Sequence, residues 1–257
     1  MKALALDFDG VISDSAREAF WVALGAWAEL RPGSALAARA RAPEPDRPEN
    51  ADLYRGFLER MPLGNRAEDY AVVLASLESE TPLPDQAAYD AFREGLDAGE
   101  LARFHERFYA VRRAWQERDP AGWRRLLAPY PAFLEILHRR AGEVALAIAT
   151  AKDAPSVHAL LRSYGAAALF RPEHVLDKEV GVRKSAHLQR LSELLALAPE
   201  EITFVDDKAN HLAEVSPLGV RCALAAWGYN GPREHAQAAR QGFLVCDLDD
   251  FEAKIFG

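Results

Sequence analysis

The chain has 257 residues, of which 49% are hydrophobic and 27% charged, and its formal net charge is -8. A chain of this length and composition buries a large core, and nothing in it is typical of disorder. The negative charge excludes a broad electrostatic attraction to nucleic acid or to an anionic membrane surface, so we expect neither as a partner.

The two cysteines, Cys222 and Cys246, stand in short apolar runs and lack the close Cys and His spacing of a zinc site. The N-terminus passes from Met1 and Lys2 into a strand-like run and reaches two aspartates too early for a secretory leader. No apolar stretch approaches the roughly 18 residues that are needed to span a bilayer. These features predict a cytoplasmic protein.

The opening segment, residues 4–8, predicts a buried strand that delivers Asp7 and Asp9 to its carboxyl end, where open α/β sheets place their ligands. Side chains two residues apart in a strand point to one side, and Gly10 permits a close backbone turn. Two carboxylates this close repel each other unless a cation or a shared proton relieves them. Taken alone, the pair fits an acidic turn after a strand equally well.

The next segment, from about residue 17 to residue 125, carries apolar side chains at helical spacing, as at Phe20, Leu24 and Trp27. Proline-rich breaks at residues 41–45 and 81–84 separate these helices. The segment has no convincing strand pattern. We therefore predict a helical insertion.

Beyond the insertion, apolar strands alternate with helices. The strands are predicted at residues 144–149, 202–205, 222–226 and 243–246. Such alternation of nearly continuous apolar strands with helices predicts an α/β fold with a doubly wound parallel sheet, a Rossmann-like core covered on both faces. We place this core at residues 1–16 and 126–257, interrupted by the helical insertion at residues 17–125.

A second acidic pair, Asp206 and Asp207, follows the predicted strand at residues 202–205. The ends of parallel strands open on the same edge of a sheet, so the two acidic pairs are expected to converge. Carboxylate oxygens of this kind suit Mg²⁺. Thr150 ends another strand and Lys184 opens a helix, and a hydroxyl and an ammonium at this edge would bind phosphoryl oxygens.

The order Asp-x-Asp, Thr, Lys and Asp-Asp resembles the four-motif signature of the haloacid dehalogenase-like hydrolase superfamily. Residues 131–137 are similar to the segment that leads to the second motif in phosphoglycolate-phosphatase-like members, and residues 225–229 to their strand and turn after the last motif. One motif alone is weak evidence for the family, but four motifs in this order, each in a strand-like context, are a specific signal. The resemblance covers about residues 1–16 and 126–257.

The resemblance implies a role for each motif. Asp7 would be the nucleophile that forms an aspartyl-phosphate, and Asp9 the general acid and base. Thr150 and Lys184 would orient the phosphoryl group. Mg²⁺ would be bound by Asp7, the backbone carbonyl of Asp9 and the acid of the fourth motif.

The fourth motif departs in part from the family pattern of a hydrophobic residue followed by Gly-Asp-Ser-x-Asn. Alignment of residues 205–210 with that pattern makes Asp207 the direct metal ligand and gives Asp206 a water-mediated role. His211 occupies a position where many relatives have another acid. This difference leaves the outer coordination of the metal open.

Lys178 is the rival to Lys184 for the third motif, and Lys184 is preferred because it opens a helix, as the family's lysine does. Lys152 matches a common family position, although it fits a loop lysine equally well. Six other histidines have no metal-ligand spacing and are expected to play no part in the chemistry: His105, His138, His158, His174, His187 and His235.

The insertion resembles a C1-type cap, which would exclude water and large substrates from the site. Five of its side chains are candidates for contact with the leaving group, although each fits a solvated surface residue as well: Arg17, Tyr54, Arg55, Arg60 and Arg113.

These observations predict a Mg²⁺-dependent phosphatase acting on a small phosphorylated metabolite, as a monomer or homodimer. A phosphomutase shares the four motifs and stays an alternative. Dehalogenation is disfavoured because it does not need the acid Asp9, and a non-catalytic phospholigand-binding protein would be expected to lose Asp7 or Asp9. A receiver-type signalling module is another alternative. It has its acceptor Asp on a later strand than its acidic pair and has no large helical insertion, so this chain does not follow its pattern.

Overall fold

The protein is described by a computed structural model at residues 1–40, 48–64, 66–181 and 183–257. It divides into two compact units, one of Met1–Asp14 with Ala128–Gly257 and the other of Ser15–Leu127. The predicted break at residues 41–45 lies outside the described residues. The two units are described in turn.

The first unit is built on a six-stranded parallel sheet, which confirms the predicted fold class. The strands of the chain are β1 Ala3–Leu6, β2 Ser13–Asp14, β3 Ala128–Pro129, β4 Ala145–Ala149, β5 Val175–Leu176, β6 Ile202–Asp206, β7 Arg221–Ala225 and β8 Leu244–Cys246. The order in the sheet is β5-β4-β1-β6-β7-β8. Because β1 lies in the middle and later strands are added on both sides of it, the sheet is doubly wound.

Helices cover this sheet on both faces. They are α8 Pro131–Arg139, α9 Ala154–Ser163, α10 Lys184–Leu195, α11 Ala209–Val215, α12 Pro232–Arg240 and α13 Phe251–Phe256. All four residues of β1 have no solvent exposure. A strand that is buried on both faces needs apolar residues at every position rather than at alternate ones. This explains why the central strands stand out as continuous apolar runs in the sequence.

Three short strands were absent from the sequence prediction. β5 contains only two residues, which pair with Ile148 and Ala149 of β4. β2 and β3 form a two-stranded antiparallel ribbon in which Ser13 lies opposite Pro129. Two-residue strands are too short to produce a hydrophobic pattern, so only the paired backbone reveals them.

The second unit is helical, and none of its described residues forms a strand. Its helices are α1 Ala16–Leu30, α2 Ala37–Ala40, α3 Pro48–Arg60, α4 Ala67–Glu78, α5 Gln86–Glu94, α6 Ala98–Arg118 and α7 Pro120–Arg125. Phe57 lies at its centre, with its ring centroid 5.3 Å from that of Phe20 and 5.4 Å from that of Tyr70. Apolar residues at helical spacing therefore give this unit a core of its own.

A buried ion pair lies within the helical unit. Glu18 is fully buried and accepts two hydrogen bonds from the guanidinium of Arg112, at 2.7 and 2.6 Å, and one from the indole of Trp123 at 2.9 Å. A buried carboxylate needs such partners because losing its hydration is costly.

Throughout the described ranges, every helix is too short or too polar to cross a membrane.

Candidate active site

The carboxyl ends of three central strands bring the predicted site residues to one edge of the sheet. Leu6 of β1 pairs with β4 on one side and with β6 on the other. Asp7 is the first residue after β1, and its N–H donates to the carbonyl of Val205 in β6 at 2.9 Å. Thr150 is the first residue after β4, and Asp206 is the last residue of β6. Their proximity is therefore a result of parallel pairing.

The ammonium of Lys184 lies between two carboxylates at this edge. Its Nζ is 2.7 Å from Asp7 Oδ1 and 3.4 Å from Asp206 Oδ2, and it donates to the carbonyl of Ala149 at 2.7 Å. Burial alone would lower the pKa of Lys184, but Asp7 and Asp206 outweigh it and the pKa is raised. Burial raises the pKa of Asp7, and Lys184 only partly opposes this. Lys184 is thus the cation that compensates the buried nucleophile candidate.

Asp206 is held by two further groups. Its Oδ1 accepts the backbone N–H of Lys208 at 2.9 Å, and its Oδ2 lies 3.0 Å from Nδ1 of His211. Burial would raise the pKa of Asp206, but His211 and Lys184 outweigh it, so this pKa lies well below its usual range. Asp206 is therefore an ionised carboxylate with its partners supplied by the protein.

Asp207 has a different environment. It is buried, and its Oδ2 accepts the backbone N–H of Tyr229 at 2.9 Å. Its Oδ1 has no hydrogen-bond partner in the part of the chain that the structure describes. Burial raises the pKa of Asp207 well above its usual range, and the charges of Asp206 and Asp7 add to the effect. A buried carboxylate oxygen without a donor is costly unless another cation binds it.

Gly10 makes room for Asp207. Its φ is +83°, and a Cβ at this position would lie 2.4 Å from Asp207 Oδ2. Only glycine satisfies both the left-handed backbone and this close approach. The glycine of the first acidic motif is thus explained by a side chain of the second.

Asp9 lies at the more open side of the same edge. Its Oδ1 is 3.2 Å from Nζ of Lys152, and the Asp9 side chain is 35% exposed while that of Lys152 is 5% exposed. The hydroxyl of Thr150 is buried and accepts the backbone N–H of Lys152 at 3.2 Å. The general-acid candidate is therefore accessible, and the residues around it are not.

A cation with oxygen ligands fits this edge. Ligand atoms of Asp7, Asp206 and His211 lie within 4.8 Å of one another. However, the ammonium of Lys184 already contacts Asp7 and Asp206, so two of these three side chains have a cationic partner without a metal ion. The partnerless oxygen of Asp207 is the better indicator of a metal position, because it is buried, carries no hydrogen bond and belongs to a carboxylate.

Comparison with known proteins finds solved structures with a similar fold, whereas the comparisons by sequence find no match. No protein-family model matches the chain, and no curated protein sequence matches it. A haloacid dehalogenase-like family hydrolase from Streptococcus pneumoniae superposes with a TM-score of 0.68 at 15% identity, over 99% of this chain and 98% of that one. A predicted phosphoglycolate phosphatase from Haemophilus somnus 129pt gives a TM-score of 0.64 at 20% identity, over 100% and 98% of the two chains. A predicted phosphatase from Clostridium acetobutylicum gives 0.63 at 12% identity, over 99% and 98%.

The chain has the haloacid dehalogenase-like fold. Likeness at this level of identity concerns the fold, over nearly the whole length of each chain. Within this fold, the two candidate lysines of the third motif are separated by their environments. Lys184 is buried against Asp7, whereas Lys178 is exposed and its nearest ion-pair partner is Glu179 at 3.9 Å.

Sequence reasoning undervalued three residues of the site. Lys152 was indistinguishable from a loop lysine, but its side chain is buried against Asp9. Tyr229 was noted only as part of a turn, yet its N–H binds Asp207 and its hydroxyl donates to Asp14 Oδ1 at 3.2 Å. No sequence signal marked Tyr164, whose hydroxyl lies 2.8 Å from Ser13 Oγ. Burial raises the pKa of Tyr164 to about 12, so this phenol stays neutral.

Two of the six histidines that were expected to have no chemical role are buried, namely His174 and His187. His174 Nδ1 lies 3.1 Å from the carbonyl of Leu146, and the ring nitrogens of His187 lie 2.9 and 3.0 Å from the carbonyls of Asp177 and Arg183. These contacts are to backbone, as in ordinary core histidines. Their lack of a chemical role stays a prediction.

The five specificity candidates all belong to the helical unit. The Tyr54 ring packs 5.2 Å from that of Phe20, and Arg60 Nη1 donates to the carbonyl of Gly56 at 3.0 Å. Arg55 lies 3.3 Å from Asp52 on the surface. Contact of these side chains, or of Arg17 and Arg113, with a leaving group stays a prediction, as does the role of the unit as a cap.

Proposed function

We propose that this protein is a Mg²⁺-dependent phosphatase that hydrolyses a small phosphorylated metabolite through an aspartyl-phosphate intermediate. The observation that carries the proposal is the buried contact between Asp7 and Lys184. Asp9, two residues after Asp7 in the chain, has a more accessible side chain. A carboxylate nucleophile, a fixed cation beside it and a proton donor within reach are the groups that transfer of a phosphoryl group to an enzyme requires. The shared fold with haloacid dehalogenase-like hydrolases supports the proposal.

The reaction follows from the positions of the two aspartates. In the first step the Asp7 carboxylate attacks phosphorus, the bond from phosphorus to the leaving oxygen breaks, and Asp9 gives its proton to that oxygen. In the second step Asp9 takes a proton from water, the water oxygen bonds to phosphorus, and the bond from phosphorus to Asp7 breaks. Thr150 and Lys184 orient the phosphoryl oxygens and offset their charge in both steps.

Mg²⁺, when bound, would neutralise charge on the phosphoryl oxygens. We assign its ligands to Asp7, the backbone carbonyl of Asp9 and Asp207, with Asp206 acting through water. The partnerless Oδ1 of Asp207 supports this assignment, because Asp206 is already engaged by Lys184 and His211. The helical unit is assigned the role of a cap that restricts the substrate to small molecules.

The test is a phosphatase screen followed by trapping of the intermediate. Sugar phosphates, nucleotides, phosphoglycolate and acyl phosphates are offered with Mg²⁺ and with chelator. Hydrolysis that stops in chelator is expected, isomerisation of a sugar phosphate without release of phosphate would identify a mutase instead, and binding without turnover would identify a non-catalytic protein.

The trapping step uses a labelled aryl phosphate, whose good leaving group needs little protonation. Asp9→Asn keeps the nucleophile but cannot activate water, so it is expected to accumulate label on Asp7. Its turnover of alkyl phosphates is expected to fall roughly 10²–10⁴-fold. Asp7→Asn should carry no label, and Asp249→Asn, at an exposed position of the same unit, should behave as the wild type. Label on the Asp7→Asn protein would overturn the assignment of the nucleophile.

A further inference from the structure

Lys152 is buried where a loop lysine would ordinarily be solvated. It follows β4 by three residues, its side chain is 5% exposed, and its Nζ lies 3.2 Å from Asp9 Oδ1. Burying an ammonium is costly unless a charged partner repays the lost hydration. Asp9 is such a partner, although its own side chain is only partly buried. The pair therefore joins a buried ammonium to a more accessible carboxyl group.

The same residue is also tied to the phosphoryl-binding loop. The backbone N–H of Lys152 donates to Thr150 Oγ1 at 3.2 Å, so Lys152 contacts Thr150 through its backbone and Asp9 through its side chain. Thr150 and Asp9 lie on separate loops, after β4 and β1. Lys152 thus links the loop proposed to hold the phosphoryl group to the side chain proposed to protonate the leaving oxygen.

An aspartate side chain has two torsions, and an ammonium bound to one of its oxygens favours the rotamers that keep this contact. Proton transfer needs the donor within about 2.6–3.2 Å of the leaving oxygen, and small displacements cost much of the rate. An ammonium on Oδ1 holds the carboxyl group so that its other oxygen, which would carry the transferred proton, keeps one direction. This function requires a positive charge that reaches Asp9 from position 152.

We propose that Lys152 is a positioning residue that holds Asp9 in the orientation for proton transfer to the leaving group. This inference rests on the proposed function, and it concerns only the step that Asp9 performs. A lysine that instead bound the phosphoryl group directly would affect every substrate alike. The two roles therefore differ in their dependence on the leaving group.

The test compares Lys152→Met, Lys152→Arg and the control Lys178→Met, which removes an exposed lysine of the same unit. With an alkyl phosphate, Lys152→Met is expected to lose roughly 10- to 100-fold in kcat with little change in KM. With an activated aryl phosphate, phosphoenzyme formation in a rapid quench should stay close to wild type. Lys152→Arg keeps the charge and should recover most of the alkyl activity.

Two kinetic outcomes would overturn the inference. Equal losses with alkyl and aryl phosphates, or a rise in KM with kcat unchanged, would assign Lys152 to binding of the phosphoryl group. Wild-type activity of Lys152→Met towards alkyl phosphates would leave it no role in the reaction.

A crystallographic comparison makes the test independent of turnover. Asp9 is expected to keep its wild-type rotamer in Lys152→Arg, and to change rotamer or to occupy more than one in Lys152→Met. A single unchanged Asp9 rotamer in Lys152→Met would overturn the inference even if the protein is a phosphatase. Absence of hydrolysis by the wild type with every substrate would instead contradict the proposed function, and the rotamers of Asp9 would still decide the role of Lys152.

Discussion

Replacement of Lys184 by Met removes a buried cation while keeping a side chain of similar length. In the wild type, Nζ lies 2.7 Å from Asp7 Oδ1 and 3.4 Å from Asp206 Oδ2, and all three side chains are at most 10% exposed. The variant leaves two buried carboxylates without this ammonium. Asp206 keeps its contact with His211, whose Nδ1 lies 3.0 Å from Asp206 Oδ2. We therefore expect a large loss of stability that arises mainly at Asp7.

The magnitude follows from the geometry. At 2.7 Å and an effective dielectric constant of about 20, the attraction between Lys184 and Asp7 is about 6 kcal/mol. The buried ammonium also gives up its hydration, so the whole attraction is not lost on substitution. Removal of one partner of a buried pair costs about 3–5 kcal/mol. We expect the free energy of unfolding of Lys184→Met to fall by that amount.

The assay is urea unfolding in excess chelator, so that no divalent cation replaces the ammonium, with Lys178→Met as the matched control. Without Lys184, the pKa of Asp7, already raised by burial, is expected to rise further. A carboxyl group whose pKa is higher in the folded state destabilises the fold as the pH rises through its unfolded value. The deficit of Lys184→Met should therefore be largest near neutral pH and shrink in acid.

Two results would contradict a stabilising role of this buried contact. A loss in Lys184→Met below about 1 kcal/mol, the range of exposed ion pairs, would mean that the buried contact contributes little. A deficit that grows in acid would mean that Asp7 and Asp206 are not the groups left uncompensated. A change in the proposed phosphatase activity would decide neither result.

Asp207→Asn should weaken binding of Mg²⁺ more than Asp206→Asn does, because Asp207 Oδ1 is the partnerless oxygen; calorimetric titration giving the reverse order would exchange the two roles. Burial raises the pKa of Cys222 to about 12 and that of Cys246 to about 11, so both thiols should be neutral near pH 8 and react with a disulfide reagent only after denaturation. Rapid reaction of either thiol in the native protein would contradict this. Phe57→Ala should lower the free energy of unfolding by about 3–5 kcal/mol, because Phe57 is fully buried among aromatic rings. A much smaller loss in chemical denaturation would show that the helical unit does not depend on this core.

Much of the fold could be predicted from the sequence because the central strands are buried on both faces. Continuous apolar runs mark such strands, and each of the two that carry aspartates ends abruptly in an acidic pair. Parallel strands present their carboxyl ends at one edge, so the two acidic pairs were expected to converge there. In the structure β1 and β6 are neighbours, which places Asp7 beside Asp206. The two-residue strand β5 was beyond such reasoning because it has no periodicity of its own.

Only the tertiary structure decides which charged side chains contact each other and which are buried. Lys184 lies 177 positions after Asp7 in the chain and Lys152 lies 143 after Asp9, and no local pattern specifies such pairs. The sequence favoured Lys184 over Lys178 by its place at a helix start, but only packing buries one ammonium and leaves the other in solvent. Likewise, Asp206 and Asp207 are adjacent in sequence, yet Asp206 contacts Lys184 and His211, whereas Asp207 Oδ1 has no hydrogen-bond partner among the described residues. Asp206 ends β6 and contacts His211, whereas Asp207 follows the strand and accepts the N–H of Tyr229, so burial and partners, rather than residue type, make them different groups.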